Sequence, residues 1–403
     1  MVCKSWLPFA QGLLYHSLTV ENSRAYVSRT PGTLGPAILL HRSHLLAFTR
    51  SLTIRVIDEF AATLPLFAEE SIPGGQPECV RIPDFLSLLA HTPGLRSLCL
   101  SVFWSRKNKS SFEPSILDWI SSLVLPIEVL DLKYGRPSDS PFVYDLVSLW
   151  PRIRALRVRT DCGTALPERP VARLHELRLP ITSLAEVIGW FLPPPPQNHR
   201  SELRILELYE IPEAARALLS VHGPNVSSLM LTRQPASGIA DLFPNLEEFV
   251  IAGPFWSSPI PTVPKGLLHL RLQVHAFMSD SVLPAITAAI PSLPKLRALS
   301  VEEALTSDKY YPTLRDTCET HGVVIMVNLI DPSHVGTVVC PSYEVPVSSH
   351  SFVNYCTAIS TLISLRWTAF LDNIHSRSTL MSDVESWKQF ERPTHGTCGT
   401  CLI

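Results

Sequence analysis

Cys398 and Cys401 are the only Cys-x-x-Cys pair in this 403-residue sequence, and His395 stands three residues ahead of them. The spacing could supply part of a zinc site. A closed structural site takes four ligands, however, and no second pair stands nearby. A free thiol pair is expected, with no metal and no cofactor. The other cysteines, at 3, 79, 99, 162, 318, 340 and 356, are scattered and bring the total to an odd nine, as free thiols in a reducing compartment would be. The histidines are dispersed too, and His175 and His269 fall at exposed phases of strand-like segments, where surface contacts are expected rather than metal ligands. A phosphate loop, a Gly-x-Ser-x-Gly elbow, a His-Glu-x-x-His helix and a dinucleotide fingerprint are all missing. Enzymatic chemistry would need a His, a carboxylate and a nucleophile brought together, and no linear motif announces such a cluster. A non-enzymatic chain is expected.

Charged side chains at alternate positions of Leu-rich segments offer binding instead. Arg157, Arg159 and Arg178 recur on neighbouring segments, and Arg forks suit carboxylate or phosphate. With Lys133, Glu207, Tyr209, His269 and Arg271 they form a candidate partner-binding face, partly offset by Glu176 and Glu248. An acidic protein segment is the sharpest candidate for its occupant; a merely solvated sheet face is the alternative.

The elements that must carry these residues are set by composition and periodicity. Lys and Arg number 34 against 36 Asp and Glu, a net charge of −2, so neither nucleic acid nor an anionic membrane is the expected partner. With 46% hydrophobic and 17% charged residues the chain can bury a large core. Leu is abundant at 57, and Pro, at 36, exceeds the ~20 that ordinary usage would give. The opening residues carry no secretory pattern, and the apolar stretch from Tyr355 to Leu371 is broken by Arg366, which argues against a membrane span. An intracellular location, cytoplasm or nucleus, is expected.

The pattern apolar-x-x-apolar-x-apolar recurs nine times, from Leu95/Leu98/Leu100 through Ile127, Ile153, Leu174, Leu203, Val226, Leu246 and Leu267 to Leu296/Leu299/Val301. Its steps are about those of leucine-rich repeats, roughly 20–29 residues. The last two apolar positions lie two apart and so face one side of a short strand. Stacked units then build a parallel sheet, since no unit buries its apolar face alone. Helices are expected between strands, at Pro83–Ala90, Ser115–Leu123, Val143–Trp150, Ser183–Phe191 and Pro212–Val221. Pro93, Pro151, Pro224, Pro244 and Pro294 each precede a triple by two residues, ending a helix and launching an extended segment. Two places bend the rule: the run Pro193–Pro196, a stiff excursion, and Gly253–Pro261, a turn-rich connection. The fold class is α/β, a leucine-rich-repeat solenoid or horseshoe with parallel strands on its concave face and irregular helices on its convex face.

At the ends, Arg50–Val56 is expected to be a first, degenerate strand. Tyr311–Thr320 followed by Val323–Leu329 form a closing helix and strand. Residues 331–403 hold only 5 of the 57 Leu and no triple. The expected domains are a helical amino-terminal cap at 1–40, the solenoid at 41–330 and a poorly ordered Ser/Thr-rich tail at 331–403.

The opening segment carries Val2, Cys3, Lys4, Trp6, Ala10, Leu13, Leu14 and Tyr15. It resembles the end of an F-box, and with the irregular repeats after it the chain resembles the F-box/leucine-rich-repeat proteins of basidiomycete fungi. That resemblance implies an adaptor-binding role for Val2, Cys3, Trp6, Leu13, Leu14 and Tyr15. It implies a substrate-recognition subunit of a cullin-based, SCF-type ubiquitin ligase, holding a protein substrate on its concave face. The Leu-Pro start and earlier helices of an F-box would lie ahead of Met1, so a truncated adaptor motif is expected. A free-standing repeat scaffold unrelated to ubiquitin transfer is the alternative.

Overall fold

The structure, a computed structural model, describes residues 7–20, 33–34, 36–57, 79–103, 112–133, 141–160, 162, 166–168, 173–180, 184–195, 200–233, 238–255, 263–273 and 279–328. The chain divides into two compact units, 1–335 and 336–403, and every described residue belongs to the first. The tail expected to be poorly ordered, the Cys398/Cys401 pair, and Val2, Cys3 and Trp6 therefore lie outside the described residues.

The strands are β1 (Ser17–Val20), β2 (Thr33–Leu34), β3 (Ser51–Ile57), β4 (Val80–Arg81), β5 (Ser97–Phe103), β6 (Val129–Lys133) and β7 (Ala155–Arg159). They continue with β8 (Glu176–Leu179), β9 (Ile205–Leu208), β10 (Ser228–Arg233), β11 (Glu248–Phe255), β12 (His269–Gln273), β13 (Ala298–Glu302) and β14 (Val324–Asn328). All 14 join one sheet in the order β14 to β5 by chain sequence, then β3, β1 and β2, with β4 beside β3. Each pairing is parallel.

The helices are α1 (Leu7–Leu14), α2 (Pro36–His41), α3 (Ser43–Leu46), α4 (Ile82–Ala90), α5 (Pro114–Ser122) and α6 (Phe142–Leu149). The rest are α7 (Ala185–Phe191), α8 (Arg216–His222), α9 (Ile239–Leu242), α10 (Ser279–Ala289) and α11 (Tyr311–Thr320). No helix among the described residues is long and apolar enough to cross a membrane.

The nine triples explain the sheet. All of their side chains are at most 5% exposed. Their middle residues stand in register from strand to strand: Leu98, Leu130, Leu156, Leu177, Leu206, Leu229, Phe249, Leu270 and Leu299. The same row runs outward through Leu52 and Leu18 at one end and Ile325 at the other. Helix residues such as Leu88, Leu89, Val147, Ile188, Leu219 and Ile286 join this core, so the helices cover the face to which the triples point. Strand alternation leaves the opposite face to the residues between the Leu positions. Aromatic rings tie the helix layer together across segments: Phe112 lies 6.4 Å from Phe85 and 5.7 Å from Phe142, and Tyr144 packs edge-on to Trp190 at 4.6 Å.

The strands from β5 to β13 are entered in the same way. The Arg50 carbonyl accepts from the amides of both Arg96 and Ser97, the Arg96 carbonyl from Glu128 and Val129, and the Glu128 carbonyl from Arg154 and Ala155. The ladder continues at each step to Leu268, which accepts from Arg297 and Ala298. The backbone ahead of each strand thus satisfies its own polar groups against the previous repeat, which buried backbone requires. Pro two residues ahead of the triple fits this entry because its missing donor is not needed there.

Three expectations change. Arg50–Val56 is not the first strand: β1 pairs with β3 through Leu18↔Leu52 and Val20↔Ile54, so the sheet reaches into the segment read as a helical cap. The stretch from Pro212 begins as a 3₁₀ turn at Glu213–Ala215 before α8. Gly253 to Phe255 still belong to β11, while the rest of the turn-rich connection is outside the described residues.

Gly223, which follows α8, lies at a close backbone approach between repeats. A Cβ there would stand 1.9 Å from the carbonyl oxygen of Leu242, at the end of α9. Backbone cannot yield as a side-chain tip does. Gly223→Ala is expected to lose about 1–3 kcal/mol of stability by forcing α8 and α9 apart; a urea midpoint within error of wild type would show that the contact is not tight.

Candidate functional site

The face opposite the helices is charged, but it is not the open surface that the strand phase alone suggests. Arg178, Glu207 and His269 are all under 9% exposed, as are Asp131, Glu248 and Ser300. The correction has a simple origin. Adjacent strands lie ~4.8 Å apart, so long side chains at paired positions lie over one another and are drawn into ion pairs.

The first cluster spans β6 to β9. Glu176 accepts from Arg157 Nε at 2.7 Å and from Arg178 Nε at 2.5 Å, and Arg178 Nη1 reaches Glu207 Oε2 at 3.4 Å. Lys133 and Arg159 lie 3.8 and 4.0 Å from Asp131. Four cations thus face three carboxylates, and the positive charge that was expected to attract an acidic segment is largely neutralised in place. Arg178 is committed to the fold. Lys133, Arg157 and Arg159 keep about a quarter of their side chains exposed and remain reachable.

The two glutamates that share Arg178 shift in opposite directions. Burial, the largest influence on Glu176, pushes its carboxyl up, but the hydrogen bonds and charges of Arg157 and Arg178 together outweigh it and hold the group low. For Glu207 burial prevails over the more distant Arg178, and the negative Glu176 adds to it, so its carboxyl is raised.

The second cluster spans β10 to β13 and joins Ser228, Glu248, His269 and Ser300. Ser228 Oγ donates to Glu248 Oε2 at 2.6 Å. His269 places Nδ1 3.1 Å from Glu248 Oε1 and Nε2 2.8 Å from Ser300 Oγ. Sequence reasoning treated His269 as a surface contact and did not single out either serine. The signal available was phase alone: Ser300 lies between Leu299 and Val301, and its strand neighbour in register is Arg271.

Arg271 and Tyr209 are half-buried, Arg271 on β12 and Tyr209 just past the end of β9. Tyr209 is therefore nearer the first cluster and Arg271 belongs with the second. His175 Nε2 meets Glu202 at 2.9 Å at the surface. At the amino-terminal end Leu13 and Leu14 of α1 are exposed, as is Phe9, while Tyr15 packs partly against the core. A Cβ at Gly12 would touch the Phe48 ring at 3.9 Å, so α1 lies beside the end of α3.

Among the described residues, no group of three or more His, Cys, Asp or Glu side chains is placed to hold a metal ion. No protein-family model matches the chain, and no curated protein matches it in sequence.

Proposed function

We propose that this chain is a leucine-rich-repeat solenoid acting as a protein-interaction module, of the kind that holds the substrate of a cullin-based ubiquitin ligase. The observation that carries the proposal is the sheet: ten consecutive strands, β5 to β14, pair in chain order and in parallel, and residues of the described helices join the core to which the triples point. Such a stack leaves a long ribbon of strands for a protein partner. Binding of this kind calls for no chemistry by the chain itself. The adaptor side of the proposal rests on the resemblance of the opening residues to the end of an F-box, and the exposed Leu13 and Leu14 of α1 support it. The partner would lie over the reachable cations at the outer edge of the first cluster.

Affinity capture with the full chain, followed by mass spectrometry, tests both halves. Co-capture of a cullin and its adaptor is expected, and its absence alongside other captured proteins would favour a free-standing scaffold. The double variant Lys133→Ala/Arg159→Ala removes two long contacts to Asp131 made by cations about a quarter exposed, and is expected to weaken substrate capture by about tenfold, equivalent to ~1.4 kcal/mol. Undiminished capture would move the partner off this face.

A further inference from the structure

Arg55 extends the cations of the first cluster toward the amino-terminal end of the sheet. It lies between Ile54 and Val56 on β3, both buried in the core, so strand alternation turns its side chain to the opposite, charged face. In register the row runs Arg55, Ser101, Lys133 and Arg159 across the neighbouring strands β3, β5, β6 and β7. Arg55 is exposed, and among the described residues it takes part in no ion pair. Lys133 and Arg159 both lean toward Asp131, but at 3.8 and 4.0 Å, beyond hydrogen-bonding reach, so each keeps donors for an incoming anion. Asp131 itself is 7% exposed. Three reachable cations thus stand over one buried carboxylate. Ser101 carries no charge, so the row offers two separate points: a single Arg on β3, and a Lys–Arg pair on β6 and β7.

We propose that Arg55, Lys133 and Arg159 read an extended acidic protein segment laid across β3 to β7, with two carboxylates four residues apart. One carboxylate lies over Arg55 and the other between Lys133 and Arg159. The inference rests on the interaction role proposed above and names the class of segment it takes. The interval follows from two spacings. Strands ~4.8 Å apart put Lys133 ~10 Å and Arg159 ~14 Å from Arg55 along the row. An extended chain rises ~3.3 Å per residue and points every second side chain the same way, so its same-facing residues recur at ~6.6, ~13 and ~20 Å. Only the four-residue interval falls between the two cations. A continuous polyanion such as nucleic acid fits less well, because the same face carries Glu176, Glu207, Glu248 and Glu302 farther along, and like charges set against one another exclude the wrong partner.

The test selects displayed random peptides, each about a dozen residues long, on the full chain. Enrichment of Asp or Glu pairs four positions apart, over pairs at shorter, longer or odd intervals, is the expected result. One enriched peptide, made with a fluorophore, then gives an affinity by anisotropy. Arg55→Ala is expected to weaken it about fivefold, the upper end for one exposed charge pair. Changing the acid that faces Arg55 to its amide should have the same effect, and Arg55→Ala should then add no further loss, the mark of direct coupling. A merely structural role for Arg55 would make the two losses multiply. Arg315→Ala, which removes an exposed cation of α11, should leave the affinity unchanged. Peptides enriched without the four-residue interval, or losses that multiply, would overturn this inference and leave the interaction role standing. A selection that enriches nothing would count against both. Affinity capture without a cullin would remove the ligase reading alone.

Discussion

Replacing Arg178 with Met is expected to lower the stability of the chain at neutral pH by about 3–5 kcal/mol, the cost of leaving a buried charge uncompensated. Arg178 is 5% exposed and spans two carboxylates, Glu176 on its own strand and Glu207 on the next. Glu176 would keep Arg157 at 2.7 Å. Glu207 would lose its ion pair with Arg178 and remain among buried neighbours. Adding Glu207→Leu to the variant is therefore expected to recover at least half of the loss, since a buried ion pair replaced by apolar groups of similar size is often near neutral. Urea midpoints of the single and double variants measure both effects. A single variant within ~1 kcal/mol of wild type would mean that Arg178 does not hold the cluster together.

The pH dependence of that loss follows from the opposite shifts of the two glutamates. Glu207 is raised in the folded chain, so its contribution is fully present below its unfolded value, ~4.3, and is lost as pH rises through the folded value. Removing Arg178 raises it further and makes the variant fall away from wild type more steeply toward neutrality. Glu176 is lowered, so its contribution is present above the unfolded value and is lost as pH falls through the folded one. The stability gap between Arg178→Met and wild type should therefore narrow between about pH 7 and pH 4. A gap that stayed constant or widened on acidification would mean that Arg178 does not act through its pairing with these carboxylates.

The repeat was legible in the sequence because it depends on the side-chain period of a strand and on prolines at a fixed phase, both local properties. The triple Leu203/Leu206/Leu208 states its burial and its register without reference to any other segment, and the structure places Leu206 between Leu177 and Leu229. The polar face was legible only as a phase. Which side chains there are open to solvent depends on what stands on the neighbouring strand, and Arg178 illustrates it: a lone strand would leave its guanidinium in water, whereas Glu207 on β9, with Glu176 on its own strand, draws it in. Ser300 escaped notice for the same reason. Nothing within β13 marks it, and its relation to His269 exists only because residues 31 apart in sequence meet across a strand pair. Likewise β1 was hidden by the short run Ser17–Val20, which is recognisable as part of the sheet only once β3 is beside it.

Truncating Phe249 to Ala is expected to cost about 3–5 kcal/mol, whereas Phe249→Leu should cost less than ~1.5 kcal/mol. Phe249 occupies the middle position of its triple, where the other eight repeats carry Leu, and it is fully buried between Leu229 and Leu270. The Leu variant thus restores the residue that neighbouring repeats already accommodate, while the Ala variant opens a cavity under β11. In a stack each repeat bears mainly on its neighbours, so the loss should be concentrated in β10 to β12 and read as a lower urea midpoint. Glu248 precedes Phe249 on β11, and His269 pairs with Glu248 across to β12. Equal stability of the Ala and Leu variants would mean that the row of triples is not close-packed at Phe249, and the account of the sheet as a continuous core would then fail at that repeat.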